Sequence, residues 1–70
     1  MSADTVKKIG KNLIQIRSRR GLIQVEVAKI AGISTNYYAR IERGDTGISV
    51  EVLEKLARAL KVKSSDILPF

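Results

Sequence analysis

Between two glycines, Gly32 and Gly44, the chain carries Ser34, Thr35, Asn36, Tyr37, Arg40 and Arg43. On a helix that turns Tyr38 and Ile41 inward, Thr35, Asn36, Ala39, Arg40 and Arg43 share the outward face, with Tyr37 at its margin. That face can donate and accept hydrogen bonds and holds no acid. Side chains of this kind suit the edges of nucleobases: arginine spans the two acceptors of guanine, asparagine the donor and acceptor of adenine, and threonine bonds to either. Taken singly, each is also an ordinary solvated residue. Glu42 is different, since an acid beside DNA would repel phosphate, and its expected role is a structural ion pair directed inward.

Other chemistries are poorly supported. The 70 residues contain no cysteine and no histidine, which removes disulfides, thiolate catalysis, most metal ligation and the commonest general base. No pair of titratable groups is placed for acid–base work, and no glycine-rich phosphate loop follows a strand. We therefore expect no enzymatic activity, no cofactor and no metal. No apolar run reaches the length of a membrane span and the N-terminus lacks a secretory h-region, so a cytoplasmic protein is expected. Residues 1–43 hold nine Lys/Arg against three Asp/Glu, and residues 44–70 hold four against four. The whole net charge of +6 therefore lies in the first part of the chain. Solubility accounts for a net charge but not for its segregation, whereas a polyanionic partner accounts for both.

The elements that must position these side chains are helices. Val6, Ile9, Leu13 and Ile16 recur at spacings of three and four, after the cap-type residues Asp4 and Thr5, and predict a first helix over residues 5–20. Arg17, Arg19 and Arg20 in its last turn suit the negative end of the helix dipole, and Arg20 is also a candidate phosphate contact. Gly10 inside this helix suggests a close backbone approach. A second helix over 24–31 starts at Ile23, which has no side-chain acceptor for the free N–H groups there. A DNA phosphate or water must serve, and Gln24 is the candidate phosphate contact. Gly32 and Ser34 form a stop and a cap with only Ile33 between them, so the second helix and a third over 35–43 cross steeply, with Ala28 and Ala31 small enough to allow it. This unit, residues 24–44, is a helix-turn-helix, whose second helix is shaped for a major groove. Ser49 caps a fourth helix, VEVLEKLARALK, with Val52, Leu53, Leu56, Ala57 and Leu60 as its apolar stripe. Ser64 or Ser65 starts a short fifth containing Ile67 and Leu68 and ended by Pro69. The fold class expected is all-α, a single domain over residues 1–70 built as a compact bundle of about five short helices.

In this order and spacing, IGKNLIQIRSRRGL, Gln24, Ala28, Gly32, Ile33, Tyr38 and Ile41, then IERG, SVEVLEKLARALKV and the DIL ending resemble the lambda-repressor-like (Cro/cI, XRE-type) helix-turn-helix family. The resemblance runs from about Ile9 to Leu68. It implies a five-helix bundle that binds an operator as a symmetric dimer with the third helix in the major groove. It places Thr35, Asn36 and Arg40 at base edges, with Ser34 and Tyr37 as additions, Gln24 and Arg43 at phosphates, and Arg17 and Glu42 as a buried ion pair. Three departures stand out. Ile23 replaces the usual capping Ser or Thr. Tyr38 replaces an aliphatic residue, which implies a partly buried ring with its hydroxyl at the surface. Asp45 takes the place of a basic residue and should weaken the backbone contact there.

Ile14, Ile23, Val25 and Ile30 fall outside the expected core and read as scattered surface aliphatics. Ile67, Leu68 and Phe70 form a second apolar surplus, expected at a homodimer interface. The function expected is a sequence-specific transcriptional regulator, a homodimer on a palindromic site of double-stranded DNA. Such a protein acts by occupancy, blocking a promoter or helping RNA polymerase engage it. Phage repressors, restriction-modification controllers and antitoxins all fit. The alternative is a protein-interaction module of the same fold, a co-activator or antitoxin scaffold with little DNA binding of its own.

Overall fold

The computed structural model describes all 70 residues as five helices: α1 (Ala3–Arg19), α2 (Gln24–Ala31), α3 (Thr35–Arg43), α4 (Val50–Leu60) and α5 (Ser64–Ile67). The all-α expectation is met, with small shifts at four ends: the first helix stops at Arg19 rather than residue 20, the fifth at Ile67 with Leu68 just outside it, and two others have a visible cause. The first helix begins at Ala3 rather than Thr5 because Ser2, not Asp4 or Thr5, is its cap: the Ser2 Oγ accepts from the Thr5 N–H at 3.1 Å. The fourth ends at Leu60, because Lys61 takes a left-handed backbone with φ of 58° and terminates it.

The first four helices stop in one way. The amides of Leu22, Ile33, Asp45 and Val62 reach back to the carbonyls of Arg17, Ala28, Arg40 and Ala57, each five residues earlier. This is the six-to-one hydrogen bond of the Schellman motif, which needs a left-handed residue just before the donor. Gly32 and Gly44, with φ of 75° and 76°, supply it on either side of α3. Hence α3 is cut to two and a half turns and held at both ends, capped at its start by Ser34, whose Oγ accepts from the Tyr37 N–H at 3.0 Å.

The core gathers the inward stripe of every helix: Ile9, Leu13 and Ile16 from α1, Val27, Ala28 and Ala31 from α2, Tyr38 and Ile41 from α3, Leu56, Ala59 and Leu60 from α4, and Ile67 from α5. Two placements correct the sequence reading. Ile67, expected at a dimer interface, is fully buried, because α5 folds back on α1 and the Asn12 amide holds the Ile67 carbonyl at 2.9 Å. Leu68 is half-buried against the same core, which leaves Phe70 as the exposed member of that trio. Tyr38 is buried completely, ring and hydroxyl, rather than reaching the surface. Ile14, Ile23, Val25 and Ile30 are exposed, as expected.

The close approach suggested by Gly10 lies between α1 and α3. A Cβ at Gly10 would stand 2.6 Å from the Ile41 carbonyl oxygen and still nearer that of Glu42. Both contacts are backbone, so they cannot swing aside. In an exposed helix Gly→Ala stabilises by about 1 kcal/mol. Here Gly10→Ala is expected to destabilise by about 1–3 kcal/mol, the usual cost of overpacking, in urea-induced unfolding followed by circular dichroism.

Candidate nucleic-acid interface

A buried carboxylate holds α3 in place. Glu42 lies on the inner side of its helix with its side chain 2% exposed, where an unpaired charge would be costly. Its oxygens accept three hydrogen bonds from two residues. Arg17 of α1 donates from Nε to Oε2 at 2.6 Å and from Nη2 to Oε1 at 3.1 Å, and Gln24 of α2 donates from Nε2 to Oε1 at 2.8 Å. The remaining arm of Arg17 reaches the Leu22 carbonyl in the turn between α1 and α2 at 2.9 Å. One carboxylate therefore fixes α1, the start of α2 and the end of α3 relative to one another. Burial acts to raise the pKa of Glu42, but the hydrogen bonds from Arg17 and Gln24 and the nearby guanidinium charge outweigh it and leave the group below the usual carboxylate range. Tyr38 lies against this pair. Its hydroxyl faces Glu42 and Arg17 without reaching hydrogen-bonding geometry to any group, and burial followed by the Glu42 charge raises its pKa well above that of an ordinary phenol.

With that side pinned inward, the opposite side of α3 faces solvent. Thr35, Asn36, Arg40 and Arg43 are exposed, and Tyr37 and Ala39 are half-buried at its edge. The structure thus brings the predicted base-edge residues onto one ridge. Ser34 adjoins it, with its oxygen engaged as the α3 cap. Gln24 is half-buried, and its amide nitrogen is held by Glu42. At the start of α2, Ile23 provides no side-chain cap. The Glu26 carboxylate folds back to accept from the Ile23 N–H at 2.9 Å, while the Glu26 and Val27 amides bond to the Ile23 carbonyl. The amides of Gln24 and Val25 keep no partner, and free N–H groups at a helix start are suited to an anion.

Arg20 does not join this ridge. Its Nη2 donates to the Lys61 carbonyl at 3.0 Å, and the side chain lines a cleft with Arg19, Ile16, Val62 and Asp66. Arg20 ties the end of α1 to the turn before α5, where the sequence reading had it at a phosphate. That reading also missed Lys7, whose stem crosses Gly44: a Cβ on that glycine would stand 2.8 Å from the Lys7 Cγ. No local signal marks Lys7, because its neighbour across the fold is 37 positions away. Asp45, recognised as out of pattern, accepts from the Arg43 Nε at 2.9 Å.

Residues 13–67 match the profile of the helix-turn-helix family. The chain belongs to that family. The restriction-modification controller protein C.AhdI from Aeromonas hydrophila has the same fold, with a TM-score of 0.90 and 31% identity over 96% of this chain and 100% of that one. The control protein C.BamHI of Bacillus amyloliquefaciens is 34% identical over 87% of this chain and 76% of its own length. The antitoxin PezA of Streptococcus pneumoniae is 37% identical over 84% of this chain, which spans only 37% of the antitoxin. The Cro/cI and XRE-type resemblance read from the residues is thereby confirmed, and within this helix-turn-helix α2 and α3 are the two helices of the motif.

Removing one partner of the ion pair leaves the other charge buried. Arg17→Ala and Glu42→Ala are each expected to destabilise the domain by about 3–5 kcal/mol in denaturant unfolding, while Arg17→Met combined with Glu42→Leu costs far less than either. Because the folded pKa of Glu42 is lowered, its contribution is fully present above the ordinary carboxylate range and fades as pH falls through the folded value. Glu42→Gln should flatten that acid limb of the stability curve.

Proposed function

We propose that this helix-turn-helix transcriptional regulator binds double-stranded DNA as a homodimer, reading sequence with the outer face of α3. The observation that carries the reading is the division of α3 itself: its one acid is buried against Arg17, while Thr35, Asn36, Arg40 and Arg43 stand exposed. In the mechanism this supports, Arg40 and Asn36 bond base edges in the major groove, with Thr35, Ser34 and Tyr37 alongside. Phosphates meet Arg43, the free amides at the start of α2 and the second N–H of the Gln24 amide, whose first is given to Glu42 and so orients it. Control follows from occupancy of the site, with no chemical step. The likeness to a restriction-modification controller and to the control protein C.BamHI supports the regulator reading over an antitoxin scaffold.

The dimer reading moves with the structure. Ile67 is buried, and besides the exposed aliphatics of α1 and α2 an apolar face lies along α4, where Val50 is 84% exposed and Leu53, Ala57 and Val62 line a groove. Leu68 and Phe70 follow from α5. Joining two copies through this face leaves both α3 ridges free, as a symmetric pair reading half-sites about one helical turn apart requires.

Selection from random duplexes followed by gel shifts across salt tests the reading. A palindromic consensus is expected, with affinity falling steeply as salt rises. Arg40→Ala should lose about 1–3 kcal/mol on the consensus and flatten the preference at one position. An equal loss on every sequence would make Arg40 a phosphate contact, and no binding at low salt would favour the interaction-module alternative. In sedimentation equilibrium, Leu53→Asp is expected to shift the chain toward monomer with its helical content intact; an unchanged dimer would exclude the α4 face.

A further inference from the structure

The basic ridge of α3 carries one exposed carboxylate at its end. Between Ser34 and Gly47 the only acids are Glu42, which is buried, and Asp45, which is exposed. Asp45 is not placed there by chance flexibility of a loop. Its amide closes the Schellman stop of α3 on the Arg40 carbonyl at 3.0 Å, which fixes its backbone one residue beyond Gly44. From there its Oδ2 accepts from the Arg43 Nε at 2.9 Å. Lys7, whose stem crosses Gly44, and Arg40 add their positive charge around the same carboxylate, and together with Arg43 they hold it firmly ionised.

An anion at hydrogen-bonding distance from an arginine and attended by two further cations occupies a position that a DNA backbone phosphate would take. The Arg43 Nε opens to a phosphate only when the carboxylate leaves it, and a phosphate on the remaining Nη groups would stand beside a like charge that repels it. The three acids of residues 1–43 cannot play this part. Asp4 pairs with Lys8, Glu26 folds onto its own helix start, and Glu42 is inside.

We propose that Asp45 is a built-in counter-anion of the DNA-binding face, which a phosphate must displace from Arg43, and that it thereby sets the protein concentration at which DNA is occupied. The proposal rests on the regulator reading and specifies one of its determinants. Phosphate contacts carry no sequence information, so Asp45 lowers affinity for every duplex by a similar factor and leaves base preference intact. For a chain of net charge +6, that keeps more of the protein free of the large excess of non-specific sites.

The test compares wild type, Asp45→Asn, Arg43→Gln and the double variant on a selected duplex and on a scrambled one of equal length, across salt. Asp45→Asn is isosteric and removes an exposed pair only, so thermal unfolding should hardly move. It is expected to tighten both duplexes alike by about three- to tenfold at low salt and to steepen the slope of log affinity against log salt by about 0.9, one phosphate's worth. Adding Arg43→Gln should abolish that gain. Unchanged affinity in Asp45→Asn would show that the carboxylate swings away at no cost and would overturn the proposal. Weaker binding would overturn it too, by showing that Asp45 aims Arg43 at the backbone instead of competing for it. If wild type binds neither duplex at low salt, the regulator reading fails, and this inference with it.

Discussion

The geometry of this protein depends on one buried negative charge. Glu42 can sit inside a 70-residue bundle only because Arg17 meets it with two hydrogen bonds and Gln24 with a third. That requirement dictates more than stability. It sets the rotation of α3 about its axis, since the helix cannot turn without exposing one partner and stranding the other. It also sets the approach of α1, whose Gly10 backbone lies on the Ile41 and Glu42 carbonyls with no room for a side chain. What α3 shows to solvent is thus the complement of what Glu42 and Tyr38 hold inside.

The electrostatics follow from the same arrangement. Acids in the basic half are removed from the surface field in different ways: Glu42 by burial with Arg17, Glu26 by capping the N–H of Ile23, and Asp4 by its neighbour Lys8. Positive charge is left largely unopposed where α3 faces outward. The exception is Asp45 beside Arg43, at the one point where the ridge ends and the chain turns back toward α4. Function in such a surface comes from what is kept off it as much as from what it displays.

Much of this was legible in the sequence, for identifiable reasons. Gly32 and Gly44 marked the two left-handed stops, Ser34 and Ser49 the caps, and the three- and four-residue spacing of Ile9, Leu13 and Ile16 the face of α1. These are local signals, and local physics decides them. The pairing of Arg17 with Glu42, 25 positions apart, came from family resemblance and not from any periodicity. Where neither guide applied, the reading slipped. Ile67 looked like surplus because a four-residue helix has no period to read, and its burial depends on α5 folding back on α1. The bond of Arg20 to Lys61 was invisible because it spans 41 positions. Lys61 itself concealed a helix stop, since a left-handed residue other than glycine carries no compositional mark.

The central claim is that the solvent side of α3 and the start of α2 form the surface that meets DNA. Amide chemical-shift mapping during titration of the labelled protein with a short duplex tests it most directly. The account predicts the largest shifts at Thr35, Asn36, Arg40 and Arg43 and at the Gln24 and Val25 amides, with α4 little changed. Shifts concentrated instead on Val50, Leu53 and Ala57, with α3 silent, would contradict it.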